Sequence, residues 1–201
     1  MALRTWSTNK AQLHLMEKMD FHCETRLKND RGEGIDTLYF VKEITGKGIR
    51  AYGYTIGNGK CGIRNTITDV PGVKVGHYTV RKGKNQTGVT VIIPCDGFVY
   101  ERKPLAAVYA LNGFGKTQGT VQIEELGVLE TPIALTNTLN VGKAADGLVT
   151  FTEKECRKNG KELVSVNPVV GETNDSRINQ ITERVIEAED VLFAIEHAEE
   201  N

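Results

Sequence analysis

Residues 87–94, TGVTVIIP, constrain this chain more than any other stretch. They carry β-branched side chains and no charge, between a glycine and a proline, and so read as a strand. The near-continuous apolar run predicts burial on both faces. A second stretch of the same character is residues 131–137, TPIALTN, opening with a proline that a strand tolerates at its start. Behind it, Asn140-Val141-Gly142 leads into a helix expected over 143–159. There Ala144, Ala145, Leu148 and Phe151 fall near helical spacing, and Gly160 is placed to close the C-terminus. Strand, tight turn and helix in succession point to an α/β (α+β) fold rather than a helical bundle. The 21 glycines, mostly within residues 46–147, agree with many tight turns.

The other elements are read the same way. A turn at Asp69-Val70-Pro71-Gly72, with proline at i+1 of a type I or II turn, precedes a strand over 73–80. Residues 105–111 are apolar and predict a helix start. Residues 120–126 predict a short helix stopped by Gly127, and 163–170 a further strand. Residues 182–198 give the strongest helical pattern, with Val185, Ile186, Val191, Leu192 and Ile195 apolar between charges. No folded-back strand is expected after it. The first 48 residues form an extension of no evident chemistry, with a short helix over 11–19, a breaker over 28–34 and a strand over 37–44. The main domain is assigned to 49–201.

Composition excludes several classes. With 25 Lys+Arg against 26 Asp+Glu, the net charge is −1, and nothing electrostatic favours nucleic acid or an anionic membrane. No apolar run approaches a membrane span, and the N-terminus lacks the apolar core of a signal peptide, so a cytoplasmic location is expected. Cys23, Cys61, Cys95 and Cys156 share no metal-ligand spacing and read as unpaired thiols, treated as small buried hydrophobes. There is no GxSxG elbow, HExxH or Walker loop. His77, at a predicted strand end, is read first as a hydrogen-bonded structural histidine.

Three stretches remain as candidates. Residues 112–119, NGFGKTQG, concentrate glycines, amides and a lysine, so that Asn112, Gly113, Gly115 and Lys116 could build an oxyanion or anion cradle; the alternative is a plain glycine turn. Residues 136–142 follow a buried strand and open a helix, where α/β folds gather ligands. Asn137 and Asn140 are the candidates there, against a capping role for Thr138 or Asn140. Residues 171–176 again lie between strand and helix, with Asn174 and Asp175 as candidates and a capping loop as the alternative.

Taken in order, ITDVPGVKVGH (67–77), TGVTVI (87–92), LNGFGKTQG (111–119), IEELG (123–127), ETPIALTNTLNVG (130–142) and NPVVGETND (167–175) resemble the DmpA family. These are self-cleaving L-aminopeptidase/D-esterases, similar to β-peptidyl aminopeptidases and nylon-oligomer hydrolases. The resemblance spans about residues 49–198. It implies an incomplete αββα sandwich of the N-terminal-nucleophile type, no metal or organic cofactor, a peptide or amide substrate, and homo-oligomers of αβ units. It also implies an acyl-enzyme route in which the first residue of a separate β segment attacks. No such segment is recognised in these 201 residues, nor the glycine-rich stretch expected after the last helix. Ser176-Arg177 stands where relatives carry glycine and an aromatic. The chain is therefore expected to be the α-chain-like portion, inactive without its β segment. Asn137, Asn140 and the 112–119 loop are placed beside the missing nucleophile, and Asn174 and Asp175 on the opposite wall. The alternative is a non-catalytic binding or assembly module.

Overall fold

The computed structural model describes residues 2–18, 21–41, 52–55, 57–111 and 113–200. It divides into two compact units, residues 1–59 and 60–201. In the first, β1 (Ala2–Trp6), helix α1 (Lys10–Lys18), β2 (His22–Leu27) and β3 (Thr37–Val41) build an antiparallel sheet of order β1-β3-β2. Asn9 caps α1 by accepting the Gln12 N–H at 3.2 Å. Met16, Phe21 and Leu38 form its small core. The Asn29 backbone N–H, and then Arg26, hold the Asp36 carboxyl below the ordinary range. The expected helix and strand of this extension are both present; residue 19 of the helix and residues 42–44 of the strand lie outside the described residues.

The second unit is built on a four-stranded sheet, β4 (Lys74–Lys82), β5 (Asn85–Ile93), β6 (Ile133–Asn137) and β7 (Val169–Thr173), in that order. β4, β5 and β6 pair antiparallel, whereas β6 and β7 are parallel and joined by helix α4 (Val141–Lys158). Short helices α2 (Val99–Arg102) and α3 (Thr120–Leu126) lie in the β5–β6 connection, and α5 (Ala188–Glu196) follows β7. Entry to β4 is the anticipated turn: the Val73 N–H reaches Val70 O at 3.1 Å and Gly72 sits at φ +80°, which makes it type II. At the far end of α4, Gly160 at φ +67° and Lys161 return hydrogen bonds to Arg157 O and Cys156 O, a Schellman closure.

The core lies between one face of the sheet and α4 with α5. Val89, Val91, Ala134 and Val170 meet Ala144, Leu148, Val191 and Ala194. Two glycines set the spacing. A Cβ on Gly76 of β4 would stand 1.8 Å from Ala194 O of α5, and one on Gly147 of α4 would stand 2.7 Å from Val191 Cβ. The helices therefore lie closer to β4 and to each other than any side chain there allows. On the opposite face, alternation places His77, Thr90 and Leu135, and Leu135 is 42% exposed. His77 Nδ1 shares a 2.8 Å hydrogen bond with Thr90 Oγ1, its cross-strand partner. A sheet with helices on one face is half of an αββα sandwich.

Several expectations are corrected. β5 is sealed on its helix face only, at Val89 and Val91; its other face is half-buried. Residues 105–111 form no helix: Ala106 N–H bonds Gly127 O, Leu129 N–H bonds Pro104 O, and Ala106 and Val108 pack inward while Leu105 and Tyr109 point to solvent. The period there is two. The strand over 163–170 begins only at Val169, because Pro168 has no N–H to donate and β6 likewise starts after Pro132. The helix over 182–198 is cut to Ala188–Glu196: Arg184 adopts φ +50°, and a capping box between Glu187 and Asp190 sets the start. Past α5 the chain does fold back, since Glu199 and Val75 exchange two backbone hydrogen bonds of 3.0 and 3.1 Å along β4. The cysteines are unpaired as expected, but Cys23 and Cys61 are exposed and only Cys156 is fully buried. Burial pushes the Cys156 and Cys95 thiols up. Among the described residues no helix is long and apolar enough to cross a membrane.

One carboxylate ties three connections together. Glu130 accepts Lys103 Nζ at 2.6 Å and both the backbone and side-chain N–H of Asn167 at 2.8 and 2.9 Å. Burial alone would push the Glu130 carboxyl up; the donors from Lys103 and Asn167 outweigh it and hold the carboxyl below the ordinary glutamate value. A depressed folded value means stability that is present above the unfolded value and lost as pH falls through the folded one. Glu130→Gln is expected to flatten the acid limb of stability below about pH 4.3, and to cost about 1–3 kcal/mol at neutral pH, in urea titrations at a series of pH values.

Candidate active site

The parallel strands β6 and β7 end side by side, Asn137 opposite Thr173. Because β5 is antiparallel to β6, its first residues arrive at the same end. This register brings together residues far apart in sequence. Thr87 of β5 donates its hydroxyl to Asp175 Oδ2 at 2.6 Å and accepts Asn137 Nδ2 at 2.8 Å. Asn179 Nδ2 holds the other Asp175 oxygen at 3.1 Å. Thr136 Oγ1 donates to Gly88 O at 3.0 Å, fixing β6 against β5 beyond the last ladder pair. Between these groups lies a shallow cleft of about 290 Å³, lined among others by Thr87, Gly88, Leu135, Asn137, Thr173 and Asp175.

A second clamp stands beside it on β7. Glu172 accepts the Lys116 backbone N–H at 3.2 Å and the Thr138 hydroxyl through its other oxygen. The 113–118 loop is also stitched to β7 by the Gln118–Val170 pair, with hydrogen bonds of 2.9 and 3.1 Å. A Cβ on Gly115 would lie 3.1 Å from Glu172 Oε1. The glycine thus lets the loop approach the carboxylate.

The candidates fall into several situations. Asn137 and Asp175 share the cleft through Thr87. Gly115 and Lys116 reach its neighbourhood through Glu172, whereas Gly113 is exposed with nothing packed on it, and Asn112 lies outside the described residues. Asn140 is fully buried where α4 begins, and neither of its amide atoms has a partner. Asn174 is exposed, its Oδ1 accepting the Ser176 N–H at 3.0 Å in a local turn. Thr87, Thr138, Glu172 and Asn179 were missing from the sequence-derived set. Thr138 and Glu172 sit inside its motifs, but only strand register shows Thr87 and Asn179 to be neighbours of Asp175. No group of described residues has the arrangement of a metal site.

The half-sandwich gathers amide, hydroxyl and carboxylate groups at its strand ends, where α/β scaffolds hold ligands. The family model for Peptidase family S58 matches residues 65–201, and the chain belongs to that family. It is 35% identical over 150 residues to the β-peptidyl aminopeptidase BapA of Sphingosinicella microcystinivorans, covering 70% of this chain and 36% of that protein. Among solved structures it is similar to a Burkholderia sp. β-aminopeptidase, at 42% identity and TM-score 0.67, covering 75% of this chain and 43% of the other. It is similar also to the L-aminopeptidase D-Ala-esterase/amidase of Ochrobactrum anthropi, described as a variant of the Ntn hydrolase fold. The values there are 30% identity and TM-score 0.64, covering 73% of this chain and 43% of the other. The chain thus spans little more than a third of the curated relative's length.

Proposed function

We propose that this chain is the α-chain-like portion of an aminopeptidase or amidase. It would remove N-terminal residues from peptides, amides or esters through an acyl-enzyme whose nucleophile belongs to a segment outside residues 1–201. The observation that carries this reading is the cleft where β5, β6 and β7 end, built from the family-like stretches 87–92, 130–142 and 167–175. The half-exposed Leu135 face supports it, since a second layer laid there would cover the cleft and exclude water from an amide bond under attack. In this arrangement the chain binds and orients, while the added segment attacks.

Reconstitution tests the proposal. The chain is mixed with a nucleophile-led segment of a β-aminopeptidase relative, and release of p-nitroaniline from aminoacyl-p-nitroanilides is followed. Hydrolysis is expected in the mixture and absent from either component alone. A silent mixture of folded components would instead favour a non-catalytic module.

A further inference from the structure

A chain of hydrogen bonds runs through the cleft with its direction fixed at one end. The backbone N–H of Gln86 donates to Asn179 Oδ1 at 3.2 Å, and a backbone N–H cannot become an acceptor. The other end of the Asn179 amide is therefore its NH₂, which donates to Asp175 Oδ1 at 3.1 Å. An ionised carboxylate only accepts, so Asp175 also takes the single hydroxyl hydrogen of Thr87, through Oδ2 at 2.6 Å. With that hydrogen committed, the Thr87 oxygen is left to receive, and it receives Asn137 Nδ2 at 2.8 Å. The two ends of an asparagine amide have nearly the same shape, and their partners decide which way round it sits. Among the described residues the Asn137 side chain has one such partner, Thr87, while its Oδ1 is buried with none. The residue is 3% exposed, so bulk water does not choose for it.

We propose that Thr87 and Asp175 are positioning residues for Asn137: the carboxylate sets the direction of the Thr87 hydroxyl, and the hydroxyl holds the Asn137 amide with its NH₂ toward β5. Asp175 is the inverting member of the chain. It joins two donors, Asn179 on one side and Thr87 on the other, where a neutral amide would pass the direction straight through. Asp175→Asn exposes that property. Asn179 still donates, because Gln86 still holds its oxygen, so the substituted side chain turns its own oxygen to Asn179 and its NH₂ to Thr87. Thr87 then accepts that NH₂, and its hydrogen turns to Asn137. The Asn137 amide rotates half a turn to bring Oδ1 to face it. Exchanging one oxygen for NH₂ thus reverses Asn137 through Thr87 while every side chain keeps its shape. Thr87 and Asp175 do this without touching a substrate. That the orientation of Asn137 serves hydrolysis rests on the aminopeptidase reading above; the relay itself does not.

The first arm of the test uses the full chain alone. In ¹⁵N-labelled chain the Asn137 NH₂ is expected to show a nuclear Overhauser contact to the β-hydrogen of residue 87. Asp175→Asn should lose that contact, with signals from Val91 and Leu148 unchanged to show that the fold is kept. Thr87→Ser, which keeps the hydroxyl, should keep the contact. Thr87→Val, which keeps the shape and removes the hydroxyl, should weaken it. The second arm uses the reconstituted mixture. Thr87→Val and Asp175→Asn should each lower kcat/KM on the order of tenfold, the worth of about one hydrogen bond, and Thr87→Ser by about twofold or less. The double variant should also lose on the order of tenfold rather than roughly 100-fold, since without the hydroxyl Asp175 no longer acts on Asn137. A retained contact in Asp175→Asn, a Thr87→Ser chain that behaves as Thr87→Val, or additive losses in the double variant would each overturn the proposal. A parent mixture that is silent, alongside the expected change of contact in the chain alone, would overturn the hydrolase reading and not the relay.

Discussion

Gly76→Ala is expected to destabilise the sheet unit by roughly 3 kcal/mol or more, the upper end for overpacking a well-filled interior. The added methyl would sit 1.8 Å from a backbone oxygen, Ala194 O, with Ala198 Cα at 3.1 Å. A flexible side chain could turn away; a helix backbone cannot. Either α5 lifts from β4, uncovering Val191, Ala194 and Ile195, or the Glu199–Val75 pair that follows α5 breaks. Against a total stability of about 5–15 kcal/mol, that loss is large. Gly142→Ala supplies the opposite sign. Gly142 is the second residue of α4 and has nothing within 4 Å of the added methyl, so the substitution should stabilise by about 0.5–1 kcal/mol. Urea unfolding followed by far-UV circular dichroism, with amide exchange at Val91 and Leu148, reads both variants. A Gly76→Ala chain as stable as the parent would contradict the packing described.

Gly119→Ala is expected to act on the site more than on the core. Gly119 precedes α3 at φ +86°, ψ −5°, a conformation that costs another residue about 1–2 kcal/mol. Its Cβ would also lie 2.5 Å from Pro168 O and 3.0 Å from Val169 Cα. Relief of that clash pulls the 113–118 loop off β7, breaking the Gln118–Val170 pair and withdrawing the Lys116 N–H from Glu172. In the reconstituted enzyme, displacement of a positioning loop by about 1 Å should reduce hydrolysis on the order of 100-fold. Global stability would fall by less than in Gly76→Ala. Amide exchange separates the two effects: Gln118 and Val170 lose protection in Gly119→Ala while Leu148 keeps it. Full activity in this variant would show that the loop has no share in the site.

How much of this was legible in the sequence depends on how local each signal is. Helix α3 came out residue for residue because Gly127, at φ +66°, stops it where the pattern ends. The β6–α4 junction was legible for the same reason, as an apolar strand, a polar turn and a small-residue helix stripe in immediate succession. Residues 105–111 misled because LAAVYAL fits both a period of 3.6 and a period of two, and pairing with residues 127–129 decided for two. The apolar pattern over 182–198 runs past the helix because Ile186 is fully buried without being helical; burial accounts for its apolar side chain, and the Glu187–Asp190 cap excludes it from the helix. The cleft was half legible. Asn137 and Asp175 stood out as polar residues at strand ends, but Thr87 lies 50 residues from Asn137 and 88 from Asp175. No sequence spacing shows that relation. The antiparallel register of β5 on β6 creates it.

In the proposed division of labour this chain shapes the cleft and another segment attacks. Mass spectrometry of the reconstituted mixture, quenched during turnover of a slow aminoacyl ester, tests it most directly. The predicted result is an added acyl mass on the first residue of the supplied segment and none on residues 1–201. An acyl group on Ser176, Thr87 or any other residue of this chain, or turnover by the chain alone, would contradict it.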